Sequence, residues 1–390
     1  MKSLRHVLFL FLSLFIIIGC TPKTEQKVDE PIDEIEKDQV IEEKEATERV
    51  ITISAIGDML IHSSVYEDAE TDGVYDFYPM LKDVGPYLSE ATITFANQET
   101  MIGGVEHGLS NYPSFNSPVE AGEVLKEVGV DIVSIANNHT LDRGEAVIQS
   151  SINHWNEMEM PYVGAYTNQE DKGEIRVIDT EEGISVAFLA YTYGTNGIPV
   201  PEGKEYLVNL IDQENIKEEI KRAKEVADVI VLSLHFGTEY EPYPNDEQKD
   251  LAKFAADEGV HAVIGHHPHV LQPIEWVEGT DGNKTLVIYS LGNFLSGQDK
   301  IPRQIGGMVN FTVKQTISNN EIEITEPKFL PTFVSYEDDA NYHVWPMHKV
   351  TDDYLLDPNG HYQKTTEHIS KWLPDLQIIT EKDDLKYEEN

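Results

Sequence analysis

The sequence predicts an α/β protein in which two β-sheets pack face to face and helices cover both outer faces, a four-layer α/β-β/α sandwich. Two observations lead to this prediction. Through the first two thirds of the chain, apolar strand-like runs alternate with helix-like segments, which favours mostly parallel sheets covered by helices. The last third then carries several strand-like segments in succession, which adds a β-rich half.

The elements are predicted in the following order. Strands at 50–56, 92–96 and 132–136 alternate with helices near 79–89, 119–128 and 145–158. Strands at 174–180 and 184–190 flank Glu181-Glu182-Gly183, which is typical of an antiparallel hairpin. The alternation then resumes with a helix near 213–227, a strand at 228–234 and a helix near 246–258. The β-rich half comprises strands at 270–278, 285–290, 307–314 and 321–328.

The composition restricts the class of partner. The chain has 70 acidic and 29 basic side chains among 390 residues, a formal net charge of −41. A surface this acidic repels phosphate backbones, so we expect no nucleic-acid partner. A solvated acidic surface without a specific partner explains the charge most simply. Cys20 is the only cysteine, so no intramolecular disulfide can form.

The amino terminus predicts the location. Lys2 and Arg5 precede an apolar run at 7–18, which is shorter than the roughly 17–25 residues of a membrane-spanning helix. Residues 1–20 are therefore predicted to be a secretory signal peptide. Its end, Ile17-Ile18-Gly19-Cys20, resembles the bacterial lipobox, which implies lipidation of Cys20 and a lipid anchor at the extracytoplasmic face of the cell membrane. The alternative is a signal peptide with an incidental cysteine.

Three further segments follow the signal peptide. Residues 21–49 contain eleven acidic and five basic residues and no aromatic residue, so they are predicted to form a disordered acidic tether. Residues 50–332 are predicted to form the folded domain. Residues 333–390 are predicted to be a carboxyl-terminal extension without an assigned role.

Metal-ligating residue types follow the predicted strands. Gly265-His266-His267-Pro268-His269 comes directly after an apolar run, and four other apolar runs end in Asp58, Asn97-Gln98-Glu99, Asn137-Asn138-His139 and His235. Open α/β sheets keep their sites at the carboxyl ends of strands. The pattern therefore predicts a metal centre at that edge, although Asp58 and the two asparagines are also ordinary turn residues.

These segments, together with Ser290-Leu291-Gly292-Asn293-Phe294, resemble the signature blocks of the bacterial capsule synthesis protein family of the CapA type. The resemblance runs from about residue 51 to about residue 311. It implies a role in synthesis or export of poly-γ-glutamate and a fold of the calcineurin-like metallophosphatase superfamily.

The resemblance also implies the roles of individual residues. It places Asp58 and His269 at a first metal, Glu99 between two metals, and Asn138, His235 and His267 at a second metal. His139 would donate a proton to a leaving oxygen. Oxygen and imidazole ligands suit Mn, Fe or Zn, so the implied cofactor is one or two divalent ions of these metals.

Two departures from the superfamily pattern weaken the first metal site. A histidine is expected two residues after Asp58, where this chain has Leu60, and His62 is out of register. A bridging aspartate is also replaced by Glu99. Two metals, one metal and no metal therefore remain open alternatives.

Five residues are predicted to lie around the ligands or the substrate: Asp142, Arg143, Glu239, His266 and Asn293. Asp142 and Arg143 would either clamp an anionic substrate or cap the next helix. His266 is the member of its cluster expected not to bind metal, and Glu239 and Asn293 would orient a ligand. Tyr193, Tyr240 and two other tyrosines would line a polymer or lie at the rim.

Two functional classes are consistent with these residues. The first is a surface-anchored metallohydrolase or transferase-like protein that acts on a phosphate, amide or ester bond of an anionic envelope polymer, with poly-γ-glutamate implied. The second is a non-catalytic subunit for polymer binding or export. Membrane synthase or export subunits would be partners in either class, and the fold alone does not distinguish them.

The lipobox resemblance gives a first prediction. Cys20→Ala should release the protein from membranes or leave it unprocessed, because the thiol is the attachment point of the lipid. Membrane fractionation and gel migration check this. A variant that fractionates and migrates like the parent would rule out lipidation.

Overall fold

The computed structural model describes residues 47–387. These residues form seventeen strands: β1 (Glu48–Leu60), β2 (Glu70–Thr71), β3 (Val74–Tyr75), β4 (Ile93–Gln98), β5 (Ile132–Ser134), β6 (Tyr162–Val163), β7 (Arg176–Asp179), β8 (Ser185–Thr192), β9 (Val229–His235), β10 (Ala262–His266), β11 (Leu271–Glu278), β12 (Lys284–Leu291), β13 (Asn293–Ser296), β14 (Ile305–Thr316), β15 (Glu321–Glu337), β16 (Ala340–Pro346) and β17 (Gln377–Ile378). The signal peptide, Cys20 and almost all of the predicted tether lie outside the described residues.

The same residues form ten α-helices: α1 (Ser63–Ala69), α2 (Tyr78–Leu81), α3 (Gly85–Leu88), α4 (Glu120–Glu127), α5 (Gly144–Glu157), α6 (Gln169–Lys172), α7 (Gln213–Ala223), α8 (Asp246–Asp257), α9 (Ile301–Gln304) and α10 (Pro358–Ile369). Three 3-10 helices lie at Val105–His107, Met347–Lys349 and Lys382–Leu385. In residues 47–387, none of these helices has the length and apolar character to cross a bilayer.

The strands form two large sheets. The nine-stranded sheet has the order β16-β15-β14-β1-β4-β5-β6, with β13 beside β1 and β17 beside β15. The six-stranded sheet has the order β11-β12-β10-β9-β8-β7. In both sheets the central strands run parallel, as in β1 with β4 and β9 with β10. The predicted hairpin is present, because β7 and β8 pair antiparallel.

The core lies between the two sheets. Phe95 of the first sheet stacks on Phe188 of the second, with ring centroids 5.6 Å apart. Aliphatic residues of both sheets surround this pair, for example Ile53 and Ile264. Two further apolar clusters lie under helices, one against the outer face of each sheet. This arrangement confirms the predicted four-layer α/β-β/α sandwich.

Some predicted elements differ from the structure. The helix predicted near 79–89 is two short helices, α2 and α3, each with a proline in its first turn. Pro86 has no N–H to donate, so one continuous helix cannot pass through it.

The carboxyl-terminal segment, described as far as Tyr387, belongs to the same compact unit as the strands before it. The boundary predicted after residue 332 lies inside β15, and β16 adds an edge to the large sheet. Beyond residue 337, six buried side chains of this segment join the core between the sheets: Met347, Val350, Leu355, Ile369, Leu373 and Leu376. Around the proline residues of β15, apolar and polar side chains do not alternate regularly. The sequence therefore did not show that this strand continues past residue 332.

The fold therefore predicts that a chain ending at Glu337 does not fold. Each buried apolar side chain contributes about 1.5–3 kcal/mol, so the loss of six is at least comparable to the net stability of a domain, roughly 5–15 kcal/mol. Soluble yield and thermal unfolding should show this loss. A chain ending at Tyr387 is the matched control, and equal melting temperatures for both chains would contradict the prediction.

Candidate metal centre

Polar residues from both sheets meet where the parallel strands end. Asp58 pairs with Asn97 across β1 and β4, and His266 pairs with His235 across β10 and β9. His266 Nδ1 lies 3.1 Å from Asp58 Oδ1, so the two sheets touch through these side chains. All six residues implied as metal ligands are buried here: Asp58, Glu99, Asn138, His235, His267 and His269.

Asp58 is held by a bulge at the end of β1. The pairing of β1 with β4 shifts register between Ile56 and Asp58. Gly57 makes this possible, because a Cβ there would lie 2.1 Å from the carbonyl oxygen of Gly292. The Asp58 carboxylate then accepts hydrogen bonds from Asn97 Nδ2 at 2.9 Å and from the backbone N–H of His267 at 3.3 Å.

Glu99 is buried without compensation. Both carboxylate oxygens are inaccessible to solvent and have no hydrogen-bond partner among the described residues. The nearest basic atoms are His235 Nε2 at 3.6 Å and His269 Nε2 at 3.7 Å from Oε1. A buried carboxylate without a donor is costly, so this geometry indicates a missing cationic partner.

The neighbouring side chains supply further ligand atoms. His235 Nε2 lies 2.8 Å from Asn138 Oδ1, so these two atoms face each other beside Glu99. Ligand atoms of Glu99, His267 and His269 lie within 4.8 Å of one another, as do those of Asp58, Glu99 and His235. The six implied ligands thus form one contiguous cluster.

The loop after β10 carries two histidines with left-handed backbone. His267 has φ of 96° and His269 has φ of 57°, which non-glycine residues rarely adopt. Such strain persists where the surroundings fix it, and it concentrates at functional sites. His267 Nδ1 is buried without a partner among the described residues, whereas His269 Nδ1 lies 3.0 Å from Asn293 Oδ1.

Burial and charge shift the pKa values of these groups. Burial alone would lower the pKa of His269, but the charges of Glu99 and Asp58 raise it to about 9. The pKa of Asp58 is lowered because hydrogen bonds from His266 and His269 outweigh its burial. Burial raises the pKa of Glu99 well above its usual range and lowers that of His267 to about 3. Asp58 and His269 therefore form an ion pair.

His139 lies at the rim of the cluster, next to Asn138. Its Nδ1 lies 2.7 Å from Asp142 Oδ2, and its ring packs edge-on against Phe115 with centroids 4.7 Å apart. The Asp142 carboxylate accepts the Nδ1 proton, which leaves Nε2 to hold or deliver a proton. Asn196 lies beside both Asn138 and His139: its Oδ1 accepts from Asn138 Nδ2 at 3.2 Å, and its Nδ2 lies 3.3 Å from His139 Nδ1.

The residues predicted around the ligands divide into two groups. His266 and Asn293 each contact one of the clustered residues, and Asp142 contacts His139. Arg143 instead binds Ser110 Oγ and the carbonyl oxygens of His107 and Gly108, so its guanidinium holds a neighbouring loop. Its side chain makes no helix-capping hydrogen bond, contrary to the capping alternative.

Glu239 is exposed and close enough to raise the pKa of His269 by its charge. Sequence reasoning missed two contact residues. Asn97 was noted in a strand exit but received no role, and it binds Asp58. Asn196 lies in a loop where Asn196-Gly197 signalled only a turn.

The cluster fits a divalent metal ion. It offers carboxylate, amide and imidazole ligands, and Glu99 and His267 retain unpartnered buried atoms. Mixed oxygen and imidazole donors suit Mn, Fe or Zn. The side chains that would hold the metal are the six clustered residues, with Asn293 and His266 orienting them from behind.

The protein is thus an α/β protein with a candidate divalent-metal site, because carboxylates and imidazoles cluster at the carboxyl edge of its two sheets. The model of the family described as "Bacterial capsule synthesis protein PGA_cap" matches residues 52–298, which include every clustered residue. The chain therefore belongs to the bacterial capsule synthesis protein family.

Relatives with curated names are consistent with this membership. The chain is 26% identical over 292 residues to the PGA biosynthesis protein CapA of Bacillus subtilis (strain 168), with 72% of each chain covered. It is 29% identical over 265 residues to the capsule biosynthesis protein CapA of Bacillus anthracis, with 64% of this chain and 60% of that one covered.

Solved structures show a more distant similarity. A calcineurin-like phosphoesterase, YfkN of Bacillus subtilis, aligns with a TM-score of 0.43 and 15% identity, covering 82% of this chain and 97% of that chain. A phosphatase from Mycoplasma pneumoniae aligns with a TM-score of 0.41 and 13% identity, covering 72% of this chain and 93% of that chain.

The geometry predicts opposite pH dependences for the metal-free and metal-bound protein. The raised His269 pKa stabilises the metal-free fold below pH 6.5, and this stability is lost as pH rises through about 9. Metal binding requires the proton to leave, so affinity should rise about tenfold per pH unit for one proton between pH 7 and 9. Calorimetric titration with Mn²⁺ and thermal unfolding of both forms measure this.

Glu99→Gln tests whether the Glu99 carboxylate binds the metal. It removes a buried charge, so the metal-free variant should melt at the parent's temperature or higher, while its stabilisation by metal disappears. His361→Ala, on helix α10, which supplies no clustered residue, should retain both properties. Metal affinity that stays constant from pH 7 to 9, or full metal stabilisation of Glu99→Gln, would contradict the assignment.

Proposed function

We propose that this protein is a surface-anchored lipoprotein that acts in the synthesis or export of a capsule polymer, poly-γ-glutamate, through a metal-dependent hydrolysis or transfer reaction. Family membership and the names of the two CapA relatives support the polymer pathway. The resemblance of residues 17–20 to a lipobox supports the anchor at the extracytoplasmic face. The single observation that carries the chemistry is the unpartnered Glu99 carboxylate among buried imidazoles.

The side chains have complementary roles in this proposal. When bound, the metal would polarise a phosphoryl or acyl oxygen and activate water. Asp142 holds the His139 imidazole so that its Nε2 can protonate a leaving oxygen. Phe115 covers one edge of that ring and restricts its movement. The bond broken would be an amide, ester or phosphate bond of the polymer or of another envelope substrate.

A non-catalytic role in polymer binding or export is the second candidate. One observation favours it: Leu60, where the superfamily resemblance implies a histidine ligand, is buried. His62 does not replace that ligand, because it is in neither group of converging ligand atoms, and its Nδ1 lies 3.0 Å from the carbonyl oxygen of Leu60. The metal would then have a structural role, with synthase or export subunits as partners.

Two variants distinguish catalysis from binding. His139→Ala should lose most turnover, about 10²–10⁴-fold for a general acid, because it removes the proton donor. It should retain metal, since His139 is not among the clustered ligands. His267→Ala should lose metal and polymer output together. Metal content, surface polymer and turnover on phosphate and γ-glutamyl substrates are measured in parallel.

His361 provides the control, because α10 supplies none of the clustered residues, so His361→Ala removes an imidazole without removing a candidate ligand and should match the parent. Full polymer output from His139→Ala, with no turnover by the parent on any substrate, would establish the binding role. Normal polymer output from a metal-free His267→Ala protein would overturn both candidates.

A further inference from the structure

Arg303 of α9 places a cation beside the candidate metal centre. Its guanidinium carbon lies 3.5 Å from the centroid of the Tyr240 ring. That ring lies 6.1 Å from the ring of His269, at an angle of 34°. The Tyr240 ring therefore contacts the Arg303 guanidinium and lies next to the imidazole of the candidate ligand His269.

The backbone fixes both members of this pair relative to His269. The N–H of Tyr240 donates to the carbonyl oxygen of Pro268 at 2.8 Å, and Tyr240 adopts a left-handed φ of 67°. Asn293 Nδ2 donates to the carbonyl oxygen of Arg303 at 2.9 Å, while Asn293 Oδ1 lies 3.0 Å from His269 Nδ1. Arg303 is thus linked to the candidate ligand His269 in two ways, through Tyr240 and through Asn293.

The donors of Arg303 remain available. The nearest carboxylate, Asp299, lies 3.7 Å away and is 82% exposed, so solvent weakens that ion pair. Among the described residues, its guanidinium makes no hydrogen bond within normal distance. Its side chain is 18% exposed, and Tyr240 covers one face of the guanidinium.

We propose that Arg303, supported by Tyr240, is a carboxylate-binding subsite that selects a polymer with a free carboxylate beside the bond held at the metal centre. This inference rests on the proposed function. A guanidinium presents its donors in a planar fork that matches a carboxylate with two parallel hydrogen bonds. Because the chain carries a net charge of −41, its overall charge repels a polyanion, and a local cation would offset that repulsion beside the metal centre.

The test compares two short oligomers of γ-linked glutamate, one with free α-carboxylates and one with α-amides. Their dissociation constants are measured with the full-length, metal-loaded protein at constant salt. The parent should prefer the carboxylate form at least about tenfold, the scale of a charge-assisted bidentate pair. Arg303→Gln should lose this preference, and Arg303→Lys should recover only part because it keeps the charge without the fork.

Lys300→Gln is the matched control, since Lys300 lies three residues before Arg303, carries the same charge and is exposed. It should retain the parent's preference. Free glutamate at the same carboxylate concentration should compete poorly, which separates a polymer-borne carboxylate from an isolated one.

Four results would overturn the subsite: no binding by the parent, an unchanged preference in Arg303→Gln, an equal loss in Lys300→Gln, or full competition by free glutamate. These failures are distinct from failure of the proposed function. The proposed function would fail if cells that carry metal-free His267→Ala made normal surface polymer. That result does not depend on whether the protein prefers the carboxylate or the amide oligomer.

Discussion

The burial of two carboxylates at the junction of the sheets is the constraint on which the site depends. Removing an ion from water costs several kcal/mol, and only good partners offset it. Asp58 has such partners in Asn97, His266 and His269. Glu99 has no hydrogen-bond donor among the described residues, and the His269 imidazolium lies 3.7 Å from its Oε1. A divalent cation would compensate this charge and occupy the unpartnered atoms around it.

The fold concentrates these groups by joining strand ends from both sheets. Gly57 allows the end of β1 to approach Gly292 closely, and Asp58 thereby reaches the second sheet. The left-handed backbone at His267 and His269 turns both imidazoles toward Glu99. The apolar core between the sheets, to which the carboxyl-terminal segment contributes, keeps this arrangement rigid.

The sequence predicted the layers and the ligand types because both have local signatures. Apolar runs that end in Asp58, Glu99 or His235 identify strands and their exits. Contacts between residues that are distant in the sequence had no such signature. Asn196, for example, contacts His139, which lies 57 residues earlier in the chain. Arg143 occupies the N-cap position of α5, but its guanidinium makes no capping hydrogen bond and instead binds a loop 33 to 36 residues upstream. Side-chain direction follows from tertiary packing and not from spacing along the chain.

The most direct test of the metal centre is anomalous diffraction from crystals of the full-length protein loaded with Mn²⁺. We expect an anomalous peak enclosed by Glu99, His267 and His269, with a second peak near Asp58 if two ions bind. The peak should vanish in Glu99→Gln crystals grown in the same way. Well-ordered density for all these side chains with no anomalous signal between them would contradict the account.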